Sequence, residues 1–564
     1  MEVNMKRKTI AGLAALGAVL GAATAAGIIV SKKKQKKLAS GENKPLPPKK
    51  NIYFAGGGMA ALSGAFYLIH DCGVPGECIH IFEASSTLGG SFNIGGSAEH
   101  GYITAASVPL RISGRSNMAD MLSKLPSANL PDMSVADEIR SFENANPLGA
   151  FSRLVDENCL ETDNIGVSKK TIRRIKALLS AKDPELFDIS IQAYFSDTPD
   201  FLLSGLWGAI STAYLLKPES AVIELRNLLR TADIPELFGM KNTARSQLNL
   251  QETIVEALVR YLDAHNVNFS THCRVVDLDF EEAVGRVCAI HLNDNGTAKT
   301  FYLNKNDLCF VTNGSASECA TVGDYNCPAP QHEDAPASMA LWRNIAGKCD
   351  GLGSPEKFFA SDDTEVISFT ITSSSPLLLE LIKQHASGSS SCGTLTTFTA
   401  SPWALTVMCP PQPYFSEQDD DTFVICGWGI NVGVPGKYIE KTMKQSSGAE
   451  ILFELVKLMH IEDRWDEITD STINVIPCAM PFAASAAMPC SDGDKPLVIP
   501  FKTGNTAFIG RFARLGCGVS GSCEYTVRTA REAAYRLTGT KKSSAAPQRR
   551  NAASYMRLFL DLRK

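Results

Sequence analysis

The sequence holds no Cys-x-x-Cys pair, no His-Glu-x-x-His and no Cys/His cluster with zinc spacing, although it has sixteen cysteines and nine histidines. Those absences exclude the common structural zinc modules and the dithiol redox motifs, and no metal is expected. Cysteines scattered without a pattern read as reduced thiols in a cytosolic body. Basic residues are scarce beyond the N-terminus. Residues 1–50 carry eleven Lys or Arg against two Glu, a charge of +9, which leaves −14 on the rest of a chain whose net charge is −5. An acidic body argues against nucleic acid as a partner. Long apolar runs are almost missing too. Ile10 to Val30, rich in Ala and Gly, is an uncharged run of about 20 residues, enough to cross a hydrocarbon core.

What the sequence does have is a nucleotide fingerprint in full context. Residues 51–91 read NIYFAGGGMAALSGAFYLIHDCGVPGECIHIFEASSTLGGS. An apolar strand, Ile52 to Ala55, runs into three glycines. A helix follows from about Ala60 to Ile69, then a second strand from Ile79 to Phe82 that ends on Glu83. Gly56 permits a tight turn, Gly58 lets backbone approach a pyrophosphate, and Ala61 keeps helix and strand close. The helix N-terminus would face the phosphates. Glu83, roughly 20 residues past the glycines, is placed to hold a ribose. The pair in Leu88-Gly89-Gly90-Ser91 is similar to one that wraps FAD in flavoproteins of the glutathione-reductase type, which favours FAD over NAD.

Ile10 to Val30 is flanked by Lys6-Arg7-Lys8 and by Lys32, Lys33, Lys34, Lys36 and Lys37. Heavier basic charge after the run would keep the body in the cytosol. The expectation is a single N-terminal transmembrane helix that anchors the protein to a membrane; Gly17 and Gly21 form a GxxxG within it. A secretory signal and an organellar presequence are the rival readings. Residues 40–50, with three prolines and several lysines, read as a solvated linker.

From Pro109 to His265 the pattern is helical, with Gln251 to His265 clearly amphipathic. Phe195, Trp207 and Tyr214 are either cavity-lining or plain core. Cys273 to Phe280, Val287 to Leu292 and Thr300 to Leu303 read as strands around a turn at Asp294-Asn295-Gly296. A buried strand then ends at Asn313-Gly314, and Ala507-Phe508-Ile509-Gly510 is a further strand-to-glycine step before a helix from Glu524 to Leu537. Strand-like runs also fall at Val366 to Ile371, Thr394 to Thr399, Ala404 to Met408 and Thr422 to Cys426. The expected class is α/β, with a discontinuous Rossmann-like FAD-binding domain and inserted helical and β-rich substrate domains. The boundaries are 1–50 for anchor and linker, then 51–125, 266–335 and 501–540 for the FAD-binding parts. Residues 126–265 form the helical insertion, 336–500 the mixed insertion and 541–564 a tail.

With these stretches in hand, the chain resembles the oleate hydratases, also called myosin-cross-reactive antigens, over most of residues 51–540. The similarity is carried by GGGMAAL, IHIFEAS with LGGS, DLCFVTNGS, PPQPYF, INVIPCAMPF, DKPLVIP, NTAFIGRFA and CEYTVRTAREAAY. The resemblance implies an FAD-bound enzyme that adds water to the cis double bond of a long-chain unsaturated fatty acid without net redox change. It implies that Gly56, Gly58, Ala61, Glu83, Gly89, Gly90, Ser91, Val275, Asn313, Gly314 and Gly510 hold FAD. Members are often homodimers, and some meet membranes through a helical tail longer than the one here.

Two departures bear on catalysis. The family's Arg-Gly-Gly-Arg-Glu-type loop, with a glutamate that works on water, is matched by Thr104 to Ile112, which has no carboxylate. The family's tyrosine before the helix near Gln251 is matched by Arg245 to Gln251, which has no tyrosine. General acid and base groups contribute about 10²–10⁴-fold each, so losing both costs on the order of 5–11 kcal/mol of barrier. Glu99, His100, Tyr102 and Arg111 are the nearby substitutes, and the catalytic residues are left unassigned. Two alternatives follow: a flavin- and fatty-acid-binding protein that does not hydrate, and a flavin oxidoreductase or isomerase acting on a lipid.

Overall fold

The structure is a computed structural model. It describes residues 50–561 apart from 106–109, 112–115, 147–151, 163–165, 232–242, 282–284, 333–334, 386–391, 503 and 548. The expected anchor at Ile10 to Val30 lies outside the described residues. Among those described, no helix is long and apolar enough to cross a membrane.

The nucleotide fingerprint folds as its spacing predicts. Strand β1 is Ile52–Ala55, helix α1 is Met59–His70 and strand β2 is Ile79–Phe82. Short strand β3, Asn268–Ser270, and strand β4, Leu308–Thr312, follow far along the chain; β5 is Thr506–Ile509, and helix α2 is Cys523–Thr538. The five strands pair in parallel in the order β5-β4-β1-β2-β3. The β1, β4 and β5 segments are apolar because both faces of this sheet are covered, as parallel sheets require. Phe54 of β1 stacks on Phe310 of β4 at 4.6 Å, and Ala61 of α1 is fully buried.

Asp307 joins the three distant chain segments at one buried point. Its carboxylate accepts from the Asn51 backbone N–H at 2.9 Å, and its carbonyl accepts from Asn505 Nδ2 at 2.9 Å. Between β3 and β4 the chain makes an antiparallel three-stranded meander, Cys273–Glu281, Arg286–Asp294 and Thr297–Tyr302.

The two inserted regions, with one short strand from residues 266–335, form one seven-stranded sheet. Its order is Thr321–Val322, Thr472–Met480, Val366–Ser373, Phe423–Gly429, Thr406–Met408, Leu395–Phe398 and Ser152–Val155. Ser152–Val155 comes from the otherwise helical stretch and pairs parallel to Leu395–Phe398. Side chains alternate between the two faces, as strand geometry dictates. Val424, Cys426 and Trp428 pack with helices Lys169–Ser180, Gly205–Tyr214 and Val222–Thr231, whereas Ile425 packs with helix Gly448–Leu458 on the other side. Trp428 is fully buried, and its Nε1 donates to the Thr212 carbonyl at 3.1 Å. Truncating a core tryptophan of this kind to alanine costs about 3–5 kcal/mol.

Candidate functional site

A cavity of about 1220 Å³ opens along the carboxyl ends of the Rossmann strands. That exceeds the roughly 300–1,000 Å³ usual for a drug-sized ligand. It is lined by Gly56, Gly58, Glu83, Gly89, Gly90, Ser91, Val275, Gly314 and Gly510, all anticipated from the sequence. Ala61 lies behind them in the helix–sheet interface, and Asn313 is buried beside the lining with its Oδ1 unpaired.

Local chemistry explains why these residues stand here. Gly56 adopts φ +107°, and a Cβ on it would lie 2.1 Å from Thr312 Oγ1. Thr312 Oγ1 in turn donates to the Ala55 carbonyl at 2.6 Å and ties β4 to β1 at the turn. Gly90 closes over Gly58, so that a Cβ on Gly90 would stand 3.3 Å from the Gly58 Cα. Helix α1 begins at Gly58 with no side-chain cap and no acid in its first turn. Its first N–H groups are therefore left for an anion, and the helix dipole adds to their pull. Glu83 Oε2 accepts from Gly57 N at 2.7 Å, and Oε1 accepts from Ser85 N and Oγ, both at 2.8 Å. A carboxylate has about four acceptor sites, so capacity for ribose hydroxyls remains.

The sheet order lays these groups out in sequence across the strand ends. Arg274 and Val275 stand beyond β3, Glu83 ends β2, the glycines follow β1, Gly314 follows β4 and Gly510 follows β5. The row from Val275 to Gly510 spans the sheet edge, as a site for an extended dinucleotide would. The uncapped α1 terminus, the glycine cradle and the unpaired Asn93 Oδ1 in the lining agree with such a group. A second half-buried carboxyl, Glu318, accepts from Ser338 N at 2.9 Å beside Gly314, and desolvation pushes it above the usual range.

The far end of the cavity is mostly apolar. Ala213, Leu215, Leu250, Met480, Ala483 and Val519 line it, with Tyr214 and Cys523. Met480 ends a strand of the seven-stranded sheet and Tyr214 ends helix Gly205–Tyr214, so the inserted regions reach this end. Leu215 caps that helix in the left-handed region, φ 51°. Burial pushes the Cys523 thiol up to about 12, which keeps it protonated. Glu524 is the only carboxylate among the described lining residues here. Its oxygens accept from Asn117 N at 3.0 Å, Asn117 Nδ2 at 2.7 Å and Met118 N at 2.8 Å.

The residues expected to hold FAD therefore gather at one cavity, whereas the candidate substitutes for the missing acid and base do not. Glu99 and His100 are exposed and lie outside the cavity. Tyr102 is buried, stacked on Phe415 at 4.2 Å, and its hydroxyl donates to the Glu417 carbonyl at 3.1 Å. The Arg111 side chain lies outside the described features. Of the three aromatics read as core or cavity, Phe195 and Trp207 are core around Phe201, and Tyr214 lines the cavity. Sequence reasoning missed Asn93 and Arg511. Arg511 carries a legible signal, a cation one step past a strand-ending glycine; Asn93 carries none.

The pattern of the MCRA family matches residues 49–535. The chain belongs to the MCRA family. Two MCRA-like relatives are similar over nearly their whole length. An oleate hydratase of Streptococcus pyogenes serotype M49 (strain NZ131) is 29% identical over 533 residues, 91% of this chain and 89% of that protein. A linoleate hydratase of Lactiplantibacillus plantarum is 25% identical over 539 residues, 87% and 94% respectively. Among solved structures, wild-type putrescine oxidase bound to putrescine covers 87% of this MCRA chain and 99% of its own, with a TM-score of 0.50 at 10% identity. That last likeness concerns the fold alone.

Proposed function

We propose that this protein holds FAD along the row from Val275 to Gly510 and hydrates the cis double bond of a long-chain unsaturated fatty acid. The observation that carries the reading is one continuous cavity that starts in a dinucleotide frame and ends among Ala213, Leu215, Leu250, Met480 and Ala483. The hydratase relatives support the substrate class. Bound flavin supplies shape and charge beside the alkene, with no net redox change. The apolar wall takes the hydrocarbon and keeps bulk water from it. The Tyr214 hydroxyl is the phenol of this end; it gives its proton to one alkene carbon, water adds to the other, and a proton of that water returns to the phenolate.

A second reading is favoured by Glu524. Its carboxylate, the one at this end among the described residues, already accepts three N–H groups from Asn117 and Met118, which hold it in place and lower its basicity toward water. On that reading the protein binds flavin and fatty acid without turnover. Anaerobic incubation of the full-length protein with reduced FAD and oleate, followed by mass spectrometry, separates the two. A gain of one water supports hydration. Bound flavin and bound oleate with no product support the binder.

A further inference from the structure

Among the described residues two arginines line the cavity, and the sheet order puts them at opposite edges. Arg274 lies on strand Cys273–Glu281 beyond β3, and Arg511 directly follows β5 and Gly510. The Gly510 backbone is already at the dinucleotide crevice, since a Cβ on it would stand 3.5 Å from the Ala60 Cβ in the first turn of α1.

Arg511 is held but not satisfied. Its Nη2 donates to the Ala483 carbonyl at 2.6 Å, and its guanidinium stands 5.8 Å from the Phe512 ring centre. Nε and Nη1 find no acceptor among the described residues. Burial pushes the group down to about 10, against the nearby Cys523 and Glu224, so the charge persists at neutral pH. Glu224 accepts from the Ser520 backbone N–H at 2.9 Å, and neither Nε nor Nη1 of Arg511 reaches it. Two buried guanidinium nitrogens, with three N–H groups between them, left without an acceptor are costly, and native structures normally supply one. Helix α2 is not the source of positive pull here, because Ser522 caps it and Glu524 sits in its first turn.

A flavin dinucleotide has two anionic places: its diphosphate, and the N1–C2=O edge of the reduced ring system. The open terminus of α1 suits the first. We propose that Arg511 is the counter-cation for the second, so that this chain binds reduced FAD more tightly than oxidised FAD. The proposal rests on the flavin reading above. It makes Arg511 a cofactor-tuning residue and not a proton carrier.

The test is the midpoint potential of bound FAD, measured by anaerobic dye equilibration on the full-length protein and on Arg511→Gln. The wild type is expected to favour reduced FAD at least tenfold over oxidised, a potential about 30 mV above that of free FAD. Arg511→Gln is expected to lose that preference, and Arg511→Lys to keep part of it. A wild-type potential at or below that of free FAD overturns the proposal, whatever the stability of the variants. So does an Arg511→Gln protein whose potential is unchanged. If that variant keeps its potential and instead loses oleate affinity, the guanidinium faces the fatty-acid carboxylate and the proposal is overturned. A wild type that takes up no FAD refutes the underlying cofactor reading, and is seen before any variant is made.

Discussion

Replacing Gly56 by alanine perturbs two things that the structure separates. An alanine at φ +107° meets the left-handed penalty, about 1–2 kcal/mol. Its Cβ would also lie 2.1 Å from Thr312 Oγ1. Thr312 cannot yield easily, since that oxygen holds the Ala55 carbonyl at 2.6 Å. Overpacking of this kind costs about 1–3 kcal/mol. Gly56→Ala is thus expected to lose about 2–5 kcal/mol in all. Thr312→Ala alone deletes one hydrogen bond, about 1 kcal/mol. In the double variant the clash vanishes, because the Thr312 Cβ stands at an ordinary 3.4 Å. The two changes should therefore fall short of additivity by about 1–3 kcal/mol. Urea unfolding followed by tryptophan fluorescence measures all four proteins, with an unchanged slope required for the comparison. Additivity within about 0.5 kcal/mol would refute the steric account of this turn.

Three further outcomes are expected. Burial pushes the Asp71 carboxyl up, but bonds from Tyr535, Lys542 and His70 outweigh it and hold the group well below its usual range. Its contribution to stability is therefore complete above about pH 4 and is lost as pH falls through the lower folded value. Asp71→Asn should be less stable by about 3 kcal/mol at pH 7, since Arg531, Lys124 and Lys542 lose their shared anion, and its melting temperature should vary less than the wild type's below pH 4. Glu83→Ala should weaken FAD binding at least tenfold, about 1.4 kcal/mol, by titration of flavin fluorescence; unchanged affinity would remove Glu83 from the ribose site. Deleting residues 1–48 should release the protein from membranes on fractionation; retention would dismiss the N-terminal anchor.

The Rossmann-like frame was legible because its signals are local. Strand β1, the glycine turn, α1 and β2 lie within a few tens of residues, and each glycine answers a steric demand visible in the spacing. Ser152–Val155 was hidden for the opposite reason. Its partner, Leu395–Phe398, is distant in sequence, and nothing in four residues inside a helical stretch announces that pairing. Gln251 to Val255 read as ordinary helix but adopts a π-turn, where Gln251 Nε2 reaches the Leu88 carbonyl at 3.2 Å and Glu252 takes the Ser416 backbone N–H at 3.0 Å. Tyr102 looked like a loop residue near the chemistry, yet Phe415, some three hundred positions away, claims its ring. Side chains whose role depends on a distant partner leave no local trace.

The buried junction at Asp307 sets an order of events during synthesis. Asn51 is 256 positions from Asp307, and Asn505 is a further 198. Strand β1 thus waits on the growing chain without its β4 neighbour, and β4 waits again for β5. Pairings of such long range form slowly because loop closure comes first. The inserted sheet, complete by Met480, has all its strands before the ribosome delivers β5. Completion of the cavity would then be among the last steps of maturation, and a chain cut short before Thr506 would carry a finished inserted sheet beside an unfinished Rossmann sheet, with Val519 and Cys523 missing from the apolar wall.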